Sequence, residues 1–201
     1  SKNSMKGLGF FLGGILIQFL EFNFSLWVMV SFLILSLIII CLYIPNNLGF
    51  FVSFKKIKDL FSKSSNINFL SLSRVFMFGS RDIWFVVGLP VFLYSQNWNF
   101  WLVGSFLAFW TIGYGVVQVL APLIIKKSPD GLSKEVPSTK LWGFLLALVM
   151  GTLFILLIYN FWNKNQAVLI IISLIFFGFV FAINSSLHSY LILAYSQNTK
   201  T

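Results

Sequence analysis

Three charged residues, Arg74, Arg81 and Asp82, stand inside Leu70–Leu93, a stretch otherwise apolar enough to lie within a bilayer. A charge at the centre of a membrane helix costs at least about 2.5–3.5 kcal/mol, so such residues face a protein interior or a water-filled path. Arg74 and Arg81 are two helical turns apart, which puts both on one face, roughly 10 Å apart along the axis. Two guanidinium forks at that separation suit an elongated anion with a phosphate-like group at each end. Asp82 is offset by about 100° around the helix and is not expected as a same-face partner of Arg81. The competing reading of the arginines and the aspartate is that each pairs with a neighbouring helix and fixes packing.

Further polar residues gather in other apolar runs: Gln118 in one, and Asn184, Ser185, Ser186, His188 and Ser189 in another. They fall in the last third of their segments, at the depth of Arg74. Meeting there, they would form a vestibule open to one side of the membrane; interhelical hydrogen bonding would use the same residues without a ligand. The candidate substrate-binding set is therefore Arg81, Arg74, Asp82, Gln118 and Asn184. His188 reads either as a proton carrier or as an ordinary interfacial histidine. No metal-ligand spacing is present, Cys41 has no second thiol to pair with, and no cofactor is implied. A serine protease built from Ser105 and His188 fails on depth. Ser105 would lie about 8 Å below the outer face and His188 about 30 Å below it, far beyond hydrogen-bond reach. The chain is not expected to be an enzyme.

The elements that must position these residues are membrane helices. The 201 residues are 58% hydrophobic and only 9% charged, in apolar runs of about twenty residues that match a hydrocarbon core of about 30 Å. The class is all-α integral membrane, with six spans at Met5–Leu20, Ser25–Ile44, Leu70–Leu93, Phe100–Ile125, Leu141–Phe161 and Ala167–Leu193. The net charge of +9 does not point to nucleic acid, because the lysines sit between the spans and on one side. Lys2, Lys6, Lys55, Lys56, Lys58, Lys63, Lys126, Lys127, Lys134, Lys140 and Lys200 share that side, and Lys164 alone holds the other. Positive charge accumulates in cytoplasmic loops, so both ends are expected in the cytoplasm of a plasma (inner) membrane protein. Trp98, Trp101 and Trp162 then suit the outer aromatic belt. Between the second and third spans, Phe51, Phe54, Ile57 and Phe61 recur at three- and four-residue intervals with lysines between them, the pattern of an interfacial amphipathic helix or, on the plainer reading, a solvated basic linker between two bundles. In the first span, Gly9 and Gly13 form a small-xxx-small face for close packing.

Three runs carry a family resemblance: FGSRDIWFVVGLPVFL (Phe78–Leu93), GYGVVQVLAP (Gly113–Pro122) and INSSLHSYLILAYS (Ile183–Ser196). They resemble the ArsJ-like organoarsenical efflux permeases of the major facilitator superfamily, with the likeness running from about Lys2 to Ser196. The resemblance implies that the six helices match the fifth to tenth of a twelve-helix bundle. Residues 1–46 would be the last two helices of the N-terminal half, 47–68 the cytoplasmic linker, and 69–201 the first four helices of the C-terminal half. Four helices would precede this chain and two would follow it. The implied substrate is the small organic anion 1-arseno-3-phosphoglycerate, made when glyceraldehyde-3-phosphate dehydrogenase uses arsenate in place of phosphate. Export of that anion would confer arsenate resistance. The alternatives are a major facilitator carrier for another organophosphate or a drug, and a truncated membrane protein that does not transport.

Overall fold

The computed structural model describes residues 2–44, 64–125, 127–158 and 166–198. They form the helices α1 (Lys2–Tyr43), α2 (Ser65–Asp82), α3 (Leu89–Ser95), α4 (Phe100–Ile124), α5 (Glu135–Ile158) and α6 (Gln166–Asn198), with a π-helical segment, Ile83–Gly88, joining α2 to α3. The described residues are helical with no strand, and five helices among them are long and apolar enough to cross a membrane. Of the expected linker, residues 47–63 lie outside the described residues, and α2 already begins at Ser65. The charge assignments of Lys126, Lys164 and Lys200 and the belt position of Trp162 also lie outside them.

The first two expected spans are not separated by a loop. They form one element of 42 residues, α1, with a single non-helical residue, Glu21, at φ 60° and ψ 168°. A straight helix of that length would run about 63 Å, twice the hydrocarbon thickness. A positive φ on a glutamate is strained, and the buried Ser25 hydroxyl donates to the Glu21 carbonyl at 2.6 Å, satisfying an acceptor at the break. The break therefore falls inside 21–24, the gap between the first two expected spans. Beyond it, Leu26–Ile44 is exposed along nearly every side chain, Cys41 included. A helix apolar all round is one that lipid or further helices cover.

The N-terminal half of α1 packs antiparallel along α4, and glycines set the distance. A Cβ on Gly14 would lie 2.7 Å from the Phe100 carbonyl and 3.0 Å from the Gly104 Cα, and a Cβ on Gly104 would meet Phe10 and Gly14 equally closely. Gly7 meets Ala108 and Ile112, and Gly115 meets Asn3. The small-residue face is thus Gly7 and Gly14, whereas Gly9 and Gly13 have nothing within 4 Å. The expected Gly9–Gly13 face is corrected by this: a spacing of seven keeps both glycines on the seam facing one partner, and that seam was not fixed by the glycine spacing alone.

The path from α2 to α3 widens into the π-helix just before Pro90. Proline lacks an N–H and its ring crowds the carbonyl four residues back, Val86, so the preceding turn opens to accommodate it. Leu89 and Leu93 emerge fully buried. The turn to α4 places Asn97 at φ 62°, a conformation asparagine tolerates, and the Asn99 side chain caps α4 by accepting from the Leu102 N–H at 3.1 Å. Gln18 of α1 accepts from the Phe100 N–H at 3.2 Å, satisfying another of the free donors at this helix start.

α6 forms the centre. Phe181, Ala182 and Ile183 are fully buried, and α2, α4 and α5 all pack against this helix. The Trp110 indole donates to the Leu174 carbonyl at 2.8 Å and stacks on Tyr114 with centroids 5.7 Å apart. The turn into α5 is held by side chains. Ser128 donates through its N–H, at 2.8 Å, and through its hydroxyl to the buried Glu135 carboxylate, while Asp130 accepts from Leu132 and Ser133.

Candidate functional site

Arg81 lies on the face of α2 that turns toward α4 and α6. Its guanidinium carbon is 4.8 Å from the Phe78 ring centroid, 5.0 Å from that of Phe181 and 5.9 Å from that of Tyr114. An aromatic box of this kind attracts a desolvated cation through the ring quadrupoles. The side chain is 11% exposed. Nε and Nη2 both donate to Asp82 Oδ1, at 2.7 and 2.5 Å. The sequence argument that Asp82 is not placed to partner Arg81 is overturned by this pair. Cβ directions about 100° apart do not keep the groups apart when the arginine is long enough to curl round the helix toward a short neighbour.

Arg74 lies two turns before Arg81 in α2, with Phe78 between them in sequence, and its guanidinium carbon is 5.0 Å from the same ring. Its Nη1 donates to Ser189 Oγ at 2.8 Å. The two arginines therefore share one aromatic spacer, and each retains N–H groups beyond those bonds.

Gln118 joins three helices. It accepts from Asn3 Nδ2 at 2.8 Å and donates to Tyr114 OH at 2.7 Å and Ser185 Oγ at 3.2 Å. Tyr114 in turn donates to Ser185 at 3.2 Å, and Ser186 donates to the Gln118 backbone carbonyl at 3.4 Å. This network buries polar groups with partners and ties α1, α4 and α6 into register, as interhelical hydrogen bonds do in membranes.

Beside the network lies a cavity of about 30 Å³, lined among others by Asn3, Lys6, Arg81, Asp82, Thr111 and Tyr114. It is large enough for about one water molecule. Of the charged groups that line it, only Arg81 is enclosed; Asp82 is half exposed and Lys6 is exposed. Lys6 was not among the residues singled out from the sequence. Its place near the start of an apolar run reads as an interfacial lysine, and only the antiparallel packing of α1 on α4 brings it level with Arg81.

Asn184 and His188 do not join this group. Asn184 is buried, and its Nδ2 donates to Met77 Sδ at 3.4 Å; it faces the opposite side of α2, toward α5. There it and His188 line a second, larger cavity of about 720 Å³. The expected single vestibule is thus divided. Arg81, Asp82 and the Gln118 network share one side of α2, Arg74 reaches Ser189, and Asn184 and His188 lie on the other side. The division follows from α2 itself, whose positions 74, 78 and 81 turn one way while 73, 76, 77 and 80 turn the other. Ser105 donates to the Trp101 carbonyl at 2.7 Å, so its hydroxyl is engaged by its own helix. Among the described residues, no group of three or more His, Cys, Asp or Glu side chains is placed to hold a metal ion.

No family model matches the chain, and no curated protein or solved structure was found to match it.

Proposed function

We propose that this chain belongs to a membrane transporter for an organic anion, and that Arg81 and Lys6 form the positive end of the anion's path. The observation that carries the reading is the enclosure of the Arg81 guanidinium among aromatic rings between apolar helices, with the exposed Lys6 lining the same small cavity. An ionisable side chain enclosed among membrane helices points to an ion or substrate path. Arg74, with Phe78 between it and Arg81, offers a second guanidinium for the far end of an elongated anion.

The fuller proposal is an ArsJ-like permease of the major facilitator superfamily that exports 1-arseno-3-phosphoglycerate from the cytoplasm. In this reading α1 crosses the membrane twice, on either side of Glu21, which gives six crossings with both ends of the chain in the cytoplasm. The antiparallel α1–α4 pair would then be a fifth helix against an eighth, a contact between two half-bundles, and the charged cavity lies beside it. Substrate dependence tests the proposal. Inside-out vesicles carrying the protein should trap arsenic when supplied with arsenate, glyceraldehyde 3-phosphate, NAD and glyceraldehyde-3-phosphate dehydrogenase, and should trap none when the dehydrogenase is omitted.

The Arg81–Asp82 pair favours a second reading, in which the two charges neutralise each other within α2 and serve only its packing. Under it, replacing both together by Gln and Asn leaves transport intact.

A further inference from the structure

The π-helical segment between α2 and α3 holds one residue more than a regular helix of its length. The Ile83 N–H donates four residues back, to the Gly79 carbonyl, whereas the Leu89 N–H donates five residues back, to that of Trp84. A widened turn of this kind is a single residue inserted into an α-helix. Closing it to regular geometry slides the helix on one side past the other by one residue, a rotation of about 100° and a rise of about 1.5 Å.

The two sides are unequally held. Leu89 and Leu93, after the wide turn, are fully buried, whereas Met77 is the one buried residue of the eighteen in α2. α2 is therefore the side that moves, and each of its residues takes the place now held by the residue before it. Arg81 arrives at the place of Ser80 and Arg74 at that of Ser73, both of which line the groove facing α5. Asn184 Oδ1 is buried in that groove with no hydrogen-bond partner among the described residues. As an acceptor it calls for a donor, and a guanidinium carries five N–H groups. Side chains on a helix lean toward its start, so Arg81 in the place of Ser80 points back to the level of Met77, which now touches Asn184.

We propose that Ile83–Gly88 is a register switch, by which α2 steps one residue and carries Arg74 and Arg81 from the side of the aromatic box to the groove facing α5, where Asn184 Oδ1 accepts from Arg81. Pro90 holds the present register, because its ring opposes a regular turn at the Val86 carbonyl. The step does not depend on what the arginines bind, and its test needs no substrate.

Labelling of the detergent-purified protein with N-ethylmaleimide tests the switch, in a Cys41→Ser background because Cys41 is exposed. Met77→Cys reports the step. Met77 is 9% exposed, and in the stepped register its position takes the place of Phe76, which is 70% exposed. Pro90→Ala should raise the labelling rate of Met77→Cys at least about tenfold, while Leu93→Cys, on the anchored side, stays protected. Deleting Val87 from the Pro90→Ala chain should return Met77→Cys to protection, since a regular helix one residue shorter restores the present register of α2. Unchanged protection of Met77→Cys in Pro90→Ala would overturn the proposal. So would labelling of Leu93→Cys alongside it, or labelling of Met77→Cys that survives the deletion, since each marks a general loosening of the bundle.

Discussion

Arg81 donates two hydrogen bonds to one oxygen of the residue that follows it, Asp82, while Asp82 remains 48% exposed and Arg81 is almost wholly enclosed by aromatic rings. The pair is lopsided, with the cation inside and the anion at the edge. This decides what each substitution does. Removing one member of a fully buried pair costs about 3–5 kcal/mol, but screening at the exposed carboxylate reduces that sharply. Asp82→Asn is expected to cost about 1 kcal/mol, and its thermal unfolding midpoint in detergent should stay within a few degrees of the native protein's.

The glycine seam makes a sharper prediction about stability. Gly14→Ala and Gly104→Ala each drive a methyl into backbone at 2.7 Å, with no side chain free to yield, and should cost about 1–3 kcal/mol. Gly9→Ala and Gly13→Ala meet open space and gain helix propensity, so they should be neutral or slightly stabilising. Unfolding midpoints of the four variants, measured side by side, check the assignment of the face.

Trp110 tests the centre of the bundle. Trp110→Phe keeps the aromatic stack but leaves the Leu174 carbonyl without its side-chain donor, which should cost about 0.6–1.5 kcal/mol. Gly178→Ala pushes a methyl to 2.8 Å from the same indole nitrogen and should be at least as damaging. A shift in tryptophan emission in Gly178→Ala that is absent when the same change is made in the Trp110→Phe background would mark it as acting on this contact.

The turn before α5 should respond to acid. Hydrogen bonds from the Ser133 hydroxyl and from the Ser133 and Leu132 N–H groups hold the Asp130 carboxyl well below the usual carboxylate range, so the turn gains stability from its ionised form. A depressed carboxylate contributes fully above its unfolded pKa, near 3.8, and loses that contribution as pH falls through the lower folded value. Protection of the Leu132 and Ser133 amides, which donate to Asp130, should therefore be constant from neutral pH to about pH 5 and decline only below about pH 4. Asp130→Ala should lose that protection at every pH.

Much of this architecture can be read directly from residue order. Apolar runs of membrane length locate α4 and α6 within a few residues of their observed bounds, and the gap left between the first two runs, 21–24, holds the break at Glu21. What runs of apolar residues cannot specify is which side of a helix meets which neighbour, because a helix apolar all round has no stripe to read. That is why Gly7 and Gly14, rather than Gly9 and Gly13, make the contact, and why Asn184 faces away from Arg81. Lys6 was hidden for a related reason. Its role arises from the offset between α1 and α4, and no spacing within one segment encodes an offset between two. The pairing of Arg81 with Asp82 was missed because helical geometry fixes Cβ directions, whereas a guanidinium lies four bonds further out.

The central claim is that the positive charge of Arg81 serves an anion's passage. It is tested most directly by measuring arsenic trapped in inside-out vesicles supplied with arsenate, glyceraldehyde 3-phosphate, NAD and the dehydrogenase. The comparison is between native protein, Arg81→Gln, and Arg81→Gln combined with Asp82→Asn, at matched amounts of folded protein. The account predicts that both variants lose at least about tenfold in initial rate, since the double variant restores local neutrality without restoring the cation. Native rates in the double variant would contradict it and leave the pair a structural one.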